Sequence, residues 1–230
     1  AEPTNLGVYR GHRGRMEIEV RTKGISCHGS APERGVNAVY KMALIVQDIE
    51  KLNERLTGEP FLGKGTVTIA EIRSTSPSLC AVADSSTIHL DRRLAATDTM
   101  ESAVKEIQEL PSVKKANADV VVLDYAVPSW KGLIYPTKKY YPTWLLPENH
   151  PALNTGVKTF EGLFQEKPIV NRWVFSTNGV AVMGMHKIPC IGFGPGNEIY
   201  AHMATEQIPV EHLVKASAWY AAFPRVYLGK

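Results

Sequence analysis

Alternation of apolar and charged positions predicts the first strand of the chain. Met16, Ile18 and Val20 fall on one face over residues 15–22, and charged residues fall between them. This two-residue period is typical of a half-buried strand. Similar alternation predicts three further strands, over 66–72, 85–94 and 118–125.

A longer period predicts two helices between these strands. From Val36 to Leu56 the apolar residues recur at steps of three and four, which indicates an amphipathic helix. Thr99 is a plausible N-cap for a second helix, which we expect to end before Pro111. The order β-α-β-β-α-β predicts a ferredoxin-like lobe, with four antiparallel strands and both helices on one face.

The pattern changes after Val127, where prolines and aromatic residues break up the periodicity as far as Pro151. The second half is predicted to contain a helix over 152–164, buried strand or strand-adjacent pieces over 180–183 and 188–193, and a closing helix over 210–223. This arrangement resembles the last third of an α/β domain.

Composition narrows the class of protein. The formal net charge of +3 comes from interspersed residues, whereas nucleic-acid binders concentrate positive charge on one face. No apolar run is long enough for a membrane span, and no signal peptide is evident at the N-terminus. Three widely spaced cysteines are expected to be free thiols in a cytoplasmic protein. We therefore expect neither a nucleic-acid nor a membrane partner.

Three short segments carry candidate chemistry. They are Glu2-Pro3-Thr4, the loop Ser26-Cys27-His28-Gly29-Ser30, and the stretch from Gly194-Pro195-Gly196 to His202. Taken singly, Glu2 fits a solvated terminus, and His202 fits a surface or helix-cap residue. His28 likewise fits a surface loop or a cap.

Two further segments offer substrate contacts. Asp91-Arg92-Arg93 ends a predicted strand, where one arginine could simply pair with Asp91. Phe175-Ser176-Thr177-Asn178-Gly179 fits either a pocket-lining loop or a plain turn before the next strand. Cys80 has no base near it in sequence, and we expect it to be a small buried residue.

Together these segments resemble the superfamily of zinc-dependent metallopeptidases and amide hydrolases that includes aminoacylase, acetylornithine deacetylase and succinyl-diaminopimelate desuccinylase. The resemblance extends from residue 1 to the region of Leu228. It is closest to a branch linked by genome context to selenium and purine metabolism. The segments Arg13-Gly14-Arg15 and Cys80-Ala81-Val82-Ala83-Asp84 favour that branch, although most of the superfamily has an asparagine near Cys80.

The resemblance implies a role for each candidate residue. His28 of one subunit would hydrogen-bond the scissile carbonyl in its partner's active site, and Arg93 would hold a substrate carboxylate. The metal ligands implied are Glu2 and His202, and the substrate-binding loop implied is Thr177, Asn178 and Gly179. Two zinc ions per active site are implied, with cobalt or manganese as substitutes.

We therefore expect an α/β protein with a ferredoxin-like lid, joined to the C-terminal part of a zinc-peptidase catalytic domain. The predicted division is 1–12, the end of an N-terminal catalytic segment; 13–127, the lid and dimerisation domain; and 128–230, the C-terminal part of the catalytic domain. The expected function is hydrolysis of N-acyl amino acids or dipeptides by a metal-bridged water, in a homodimer formed through the lid.

The bridging aspartate and the general base of that superfamily have no counterpart in the sequence. The chain is therefore expected to be a C-terminal portion that is inactive by itself. The alternative is a non-catalytic dimerisation or binding module that keeps the fold. For dimerisation, the sequence points to the apolar face of the 36–56 helix and to the strand over 66–72.

Overall fold

The computed structural model describes residues 2–230 and divides the chain into two compact units. The terminal unit joins the residues up to Arg13 to Thr143–Lys230, and the central unit is Gly14–Pro142. Ala1, the first residue of the predicted 1–12 segment, lies outside the described residues. The second predicted boundary, at 127/128, falls earlier in the chain than the division after Pro142.

The described chain contains both helices and strands. The helices are α1 (Ala38–Arg55), α2 (Met100–Gln108), α3 (Pro111–Ala116), α4 (Pro151–Phe164) and α5 (Val210–Tyr227). The strands are β1 (Val8–His12), β2 (Gly14–Lys23), β3 (Gly58–Glu59), β4 (Gly63–Lys64), β5 (Thr66–Thr75), β6 (Ser85–Leu94), β7 (Asp119–Val122), β8 (Asp124–Tyr125), β9 (Thr137–Lys138), β10 (Tyr140–Tyr141), β11 (Trp144–Leu145) and β12 (Val170–Trp173).

Strand β2 lies at the centre of the sheet in the central unit. It pairs antiparallel with β6 along its whole length, and β6 pairs antiparallel with β5. On its other edge β2 pairs with β7 and, at Arg15 and Met16, with β10. The strand order β5-β6-β2-β7 is ferredoxin-like, which confirms the predicted lid fold.

One core joins this sheet to its helices. Residues on one face of β2 and β6 are fully buried together with the apolar stripe of α1. The members with the largest buried side chains are Met16, Ile18, Met42, Ile45, Ile49, Ile88, Leu90, Leu94 and Ile107. On the apolar face that the sequence predicted for this helix, Ile49 and Leu52 are buried in this core, whereas Val36 and Ala43 are exposed. The proposal that this face forms a dimer surface stays a prediction, limited to its exposed part. Tyr40 and Leu44 are exposed on α1.

The start of α2 follows the sequence prediction, and α2 ends at Gln108, before Pro111, as expected; the helix α3 that follows was not predicted. The Thr99 side chain accepts the N–H of Ser102, and the Ser102 hydroxyl accepts the N–H of Thr99, which is a capping box. Pro111, expected just beyond the helix, begins α3. Proline is tolerated at a first helical position because no intrahelical donor is needed there.

In the terminal unit, β1 lies between two short strands. It is antiparallel to β11 and parallel to β12. Helices α4 and α5 pack around an aromatic cluster in which Phe193 stacks on Trp219 at 4.2 Å between ring centroids. This small sheet and its two helices hold the residues of the candidate site.

Of the two segments predicted as buried strand or strand-adjacent pieces in the terminal unit, the first is wrong, and the second lies beside β1 without forming a strand. Val180–Met185 forms a π-helix, and the N–H of the following His186 donates to the carbonyl of Ala181, five residues earlier, at 3.1 Å. Residues 188–193 form only a single bridge, between Gly192 and Tyr9. The period of a short apolar run does not distinguish a strand from a buried turn. In both segments, contacts with neighbouring parts of the fold determined the conformation. Strand β12 was not predicted.

The segment after Val127 stays with the central unit because it pairs there. Strands β8 and β9 form a hairpin, and β10 extends the sheet beside β2. Throughout residues 2–230 there is no helix long and apolar enough to cross a membrane.

Candidate functional site

Hydrogen bonds tie the Glu2-Pro3-Thr4 segment to the glycine turn that precedes His202. The buried Thr4 hydroxyl donates to the carbonyl of Gly7 at 2.7 Å, lies 3.1 Å from the carbonyl of Gly194, and accepts the N–H of Gly194 at 2.9 Å. The N–H of Asn5 donates to the carbonyl of Gly196 at 2.7 Å. Two motifs that lie about 190 positions apart are thus joined by one buried threonine.

Trp173 of β12 fixes the same segment from a second side. Its Nε1 donates to the carbonyl of Pro3 at 2.9 Å, so the residue next to Glu2 is anchored to the sheet. Tyr9 of β1 packs against the Trp173 ring at 5.0 Å between centroids. The backbone on both sides of Pro3 is therefore held by buried groups.

Glu2 lines a cavity of about 600 Å³ within the terminal unit. The predicted loop residues Thr177, Asn178 and Gly179 line the same cavity, so the structure brings these four predicted residues together. The rest of the wall is mostly apolar and aromatic: Trp173, Val182, Cys190, Ile191, Gly192, Phe193, Trp219, Tyr220 and Phe223. A polar rim beside an apolar wall fits a small organic ligand.

His12, at the end of β1, holds this loop in place. Its Nε2 accepts the N–H of Thr177 at 2.9 Å, and its Nδ1 lies 2.9 Å from the carbonyl of Arg13. The Thr177 hydroxyl in turn accepts the N–H of Gly179 at 3.1 Å. His12 is fully buried, and burial lowers the pKa of its imidazole.

Gly179 permits the close approach of the loop to Trp144. A Cβ atom at this position would lie 2.4 Å from Nε1 of Trp144, which is closer than real Cβ contacts come. The residue is a glycine because of this contact with the indole ring.

Other titratable groups of the terminal unit are shifted by burial. The pKa of the Cys190 thiol is raised by burial, so the cavity does not favour a thiolate nucleophile. Burial also raises the pKa of the Glu198 carboxyl and that of Tyr9, which Glu198 raises further. The Tyr220 hydroxyl donates to the carbonyl of Phe193, and burial raises its pKa too.

His202 is exposed and is not among the described residues that line this cavity. Its backbone N–H donates to Glu206 at 3.0 Å, and its φ of 66° is in the left-handed region. The turn before it is the one that binds Thr4. The structure thus connects the segments of Glu2 and His202 through the backbone.

The donor set was tested against the metal that the resemblance implies. Carboxylate and imidazole are ligand types that zinc prefers, but catalytic zinc sites use three protein ligands. Across residues 2–230 there is no group of three or more His, Cys, Asp or Glu side chains placed to hold a metal ion. Glu2 and His202 therefore supply at most part of a metal centre.

His28 lies in an exposed loop of the central unit. Its Nδ1 accepts the N–H of Ser30 at 3.2 Å and lies 2.7 Å from the Ser30 hydroxyl. An Nδ1 that accepts leaves the proton of a neutral imidazole on Nε2. The loop is held by the bond from the Gly29 N–H to the carbonyl of Cys80. Cys80 itself is exposed, so the expectation of a buried cysteine is wrong.

Arg93 is half-buried on the sheet of the central unit. Its Nε and Nη2 donate to Asp91 at 2.8 and 3.1 Å, and Arg15 donates to the same carboxylate at 3.3 Å. The neighbouring Arg92 is fully buried and pairs with Asp98 and Glu106. Arg92 therefore has a structural role, and Arg93 is the partly exposed arginine of the pair.

The sequence analysis missed His12 and Trp173. No local pattern marked either residue, since the bonded His12 and Thr177 lie 165 positions apart. A histidine at the end of a short apolar strand is a weak signal by itself.

A family model described as the peptidase dimerisation domain, of the M20 type, matches residues 10–119. The uncharacterized protein YgeY of Escherichia coli (strain K12) is 53% identical over 99% of this chain and 56% of its own length. The acetylornithine deacetylase of Shigella sonnei is 26% identical over 90% of this chain and 50% of its own length. The chain thus spans about half the length of these curated relatives.

Solved structures share the fold. The aminopeptidase PepT from Bacillus cereus superposes with a TM-score of 0.72 at 17% identity, covering 99% of this chain and 56% of that one. The M20 family metallo-carboxypeptidase Sso-CP2 from Sulfolobus solfataricus gives 0.62 at 14% identity, covering 96% and 60%. At these identities the likeness concerns the fold alone.

Proposed function

Because residues 10–119 carry the M20 type of peptidase dimerisation domain, we propose that this chain forms part of a metal-dependent hydrolase of amide bonds. The proposed substrates are N-acyl amino acids or dipeptides. The main supporting observation is the cavity in which Glu2 meets the Thr177–Gly179 loop. A carboxylate, backbone amides and an apolar wall suit a small amide with one apolar side chain.

The proposed metal is zinc, with cobalt or manganese as substitutes, and Glu2 and His202 would each hold one ion. Bound metal ions would polarise the amide carbonyl and lower the pKa of an attacking water. The further ligands and the general base would come from polypeptide outside residues 2–230. The aligned relatives support this proposal, since they extend well beyond the region that matches.

His28 and Arg93 are proposed to act on the substrate from the dimerisation domain. The bonds from Ser30 to Nδ1 of His28 leave Nε2–H as a donor for a developing oxyanion. Arg93 keeps about a third of its side chain exposed, enough to reach a substrate carboxylate with a planar guanidinium. We further propose that the protein is a cytoplasmic homodimer of the branch linked to selenium and purine metabolism.

Metal content and turnover together test the proposal. The longest natural form of the protein is stripped with a chelator and reloaded with zinc, cobalt or manganese. Release of free amine from N-acyl amino acids and dipeptides is then followed by mass spectrometry. We expect turnover that depends on the metal, and we expect Glu2→Gln and His202→Asn to lower both bound metal and turnover.

Glu166→Gln and His186→Asn are matched controls, because both residues are exposed in the terminal unit. They should leave metal content and turnover unchanged. Absence of turnover with every metal, together with metal content unaffected by Glu2→Gln and His202→Asn, would overturn the proposal. The non-catalytic dimerisation module would then be the better description.

A further inference from the structure

We propose that His12 is a positioning residue, which fixes the Thr177–Gly179 wall of the cavity through the unprotonated Nε2 of a neutral imidazole. The inference rests on the proposed function only in assigning substrate to this wall. The hydrogen bonds that carry it lie entirely within the terminal unit.

The contacts of His12 define its tautomer. The carbonyl of Arg13 can only accept, so Nδ1, at 2.9 Å, must carry a proton. The backbone N–H of Thr177 can only donate, so Nε2, at 2.9 Å, must present a lone pair. Protonation of Nε2 would set two N–H groups against each other. The bond to Thr177 therefore exists only while the imidazole is neutral.

The Thr177 side chain extends this hydrogen bonding to the next part of the loop. The Thr177 hydroxyl lies 3.1 Å from Nε2 of His12 and accepts the N–H of Gly179 at 3.1 Å. The amides on both sides of Asn178 are thus fixed by one imidazole and one hydroxyl. Gly179 also lies against Trp144, so the loop is held from two directions.

The surroundings of His12 favour the neutral form. Trp144 of β11 and Trp173 of β12 contact the ring edge-on at 5.4 and 6.4 Å between centroids, and Thr177 contacts it from the loop. None of these three side chains titrates near neutrality. The charged residue on the same strand is the buried Arg10, which pairs with Glu148 at 2.8 Å. Arg13 follows the strand directly, and its carbonyl accepts from Nδ1. Burial is the main cause of the lowered pKa of His12, and the Arg13 carbonyl opposes it.

Because the pKa of His12 is lower in the folded protein, His12 makes the free energy of unfolding depend on pH. Unfolded histidine titrates near pH 6.5, and the folded protein binds this proton only at lower pH. Between those two values the unfolded chain binds more protons, so the free energy of unfolding falls as the pH falls. The contribution of His12 is complete above about pH 6.5 and is lost as the pH drops toward the folded pKa.

Nuclear magnetic resonance on the ¹⁵N-labelled protein tests the inference without any substrate. Long-range ¹H–¹⁵N spectra report the tautomer of His12, and amide spectra report Thr177 and Gly179. We expect a neutral Nδ1–H tautomer at pH 7 and amide shifts of both loop residues that follow the titration of His12. A His12 that is charged at pH 7, or that is protonated on Nε2, would overturn the proposal.

Two variants separate positioning from general stability. His12→Gln places an acceptor near the position of Nε2 but cannot be protonated, so the loop amides should keep their shifts and lose their pH dependence. His12→Leu should displace both amides. His186→Gln, at an exposed histidine, should change neither. The positioning role would be contradicted by loop amides that still titrate in His12→Gln, or by loop amides that stay in place in a folded His12→Leu. If His12→Leu does not fold, the result for His12→Gln alone tests the role.

Whether the Thr177–Gly179 wall binds substrate can be tested separately from whether His12 holds it in place. If the protein hydrolyses amides, protonation of His12 at acid pH should loosen this wall and raise KM. His12→Gln should remove that rise, with the effect confined to KM and not to kcat. Spectra that behave as expected in a protein without turnover would retain the positioning role and reject the proposed function. Turnover with a KM that keeps its acid rise in His12→Gln would reject the link between this wall and the substrate.

Discussion

Two neighbouring arginines differ because one side chain faces the core and the other faces the exposed side of the sheet. Alternation along β6 buries Arg92 completely among Asp98, Glu106 and a backbone carbonyl. Arg93 points to the other face and pairs with Asp91 while partly exposed. The sequence predicted Arg93 as the functional arginine from resemblance, and the structure supplies a physical reason why Arg92 cannot take that role.

Replacing these arginines should separate stability from function. Arg92→Met removes a buried charge and leaves two carboxylates without their partner, so we expect the free energy of unfolding to fall by about 3–5 kcal/mol. Arg93→Met breaks a partly exposed ion pair and should cost no more than about 1 kcal/mol. Urea denaturation measures both, and equal losses would refute the distinction.

Elements whose own residues carry a clear period or a helix cap were predicted well. Alternation gave β2 and β6 within two residues at each end, and capping chemistry gave the start of α2. Elements without such a signal were missed. Strand β12 is four residues long and pairs with β1, which lies at the other end of the sequence. The π-helix at Val180–Met185 likewise has no periodic signature.

The cap of α2 provides a prediction at this scale. Thr99→Ala removes the side-chain acceptor for the N–H of Ser102, so the free energy of unfolding should fall by about 1 kcal/mol. Thr97→Ala is the control, since Thr97 is exposed two residues before the cap, and its effect should stay within about 0.5 kcal/mol. Thermal unfolding compares the two. A similar loss for both variants would show that the cap contributes nothing.

At the scale of the whole molecule, the central unit exposes two features that fit the proposed partner copy. Strand β5 is an edge strand that pairs only with β6 in the described sheet, and α1 exposes Tyr40 and Leu44. Unpaired edges and exposed apolar side chains favour association with a second chain. The proposed homodimer would use these two features, not the buried face of α1.

A matched pair of substitutions tests the proposed dimer. We expect analytical ultracentrifugation to give twice the chain mass of 25.4 kDa. Leu44→Glu should weaken the dimer, because a carboxylate would be buried without a partner. Leu213→Glu changes a leucine of nearly equal exposure, 46% against 48%, in the terminal unit and should not weaken it. A monomeric wild-type protein at micromolar concentration would contradict the proposal.

Local patterns are enough to predict the ferredoxin-like lobe, because its strands and helices carry two-residue and helical periods within each element. The resemblance to a known superfamily also indicated Glu2 and the Thr177–Gly179 loop as parts of one site. The contacts that hold these residues arise only in the folded chain. Thr4, His12 and Trp173 make hydrogen bonds to residues 165 to 190 positions away, and such bonds leave no local pattern. Burial of these polar groups made their partners necessary, and burial is a property of the folded chain.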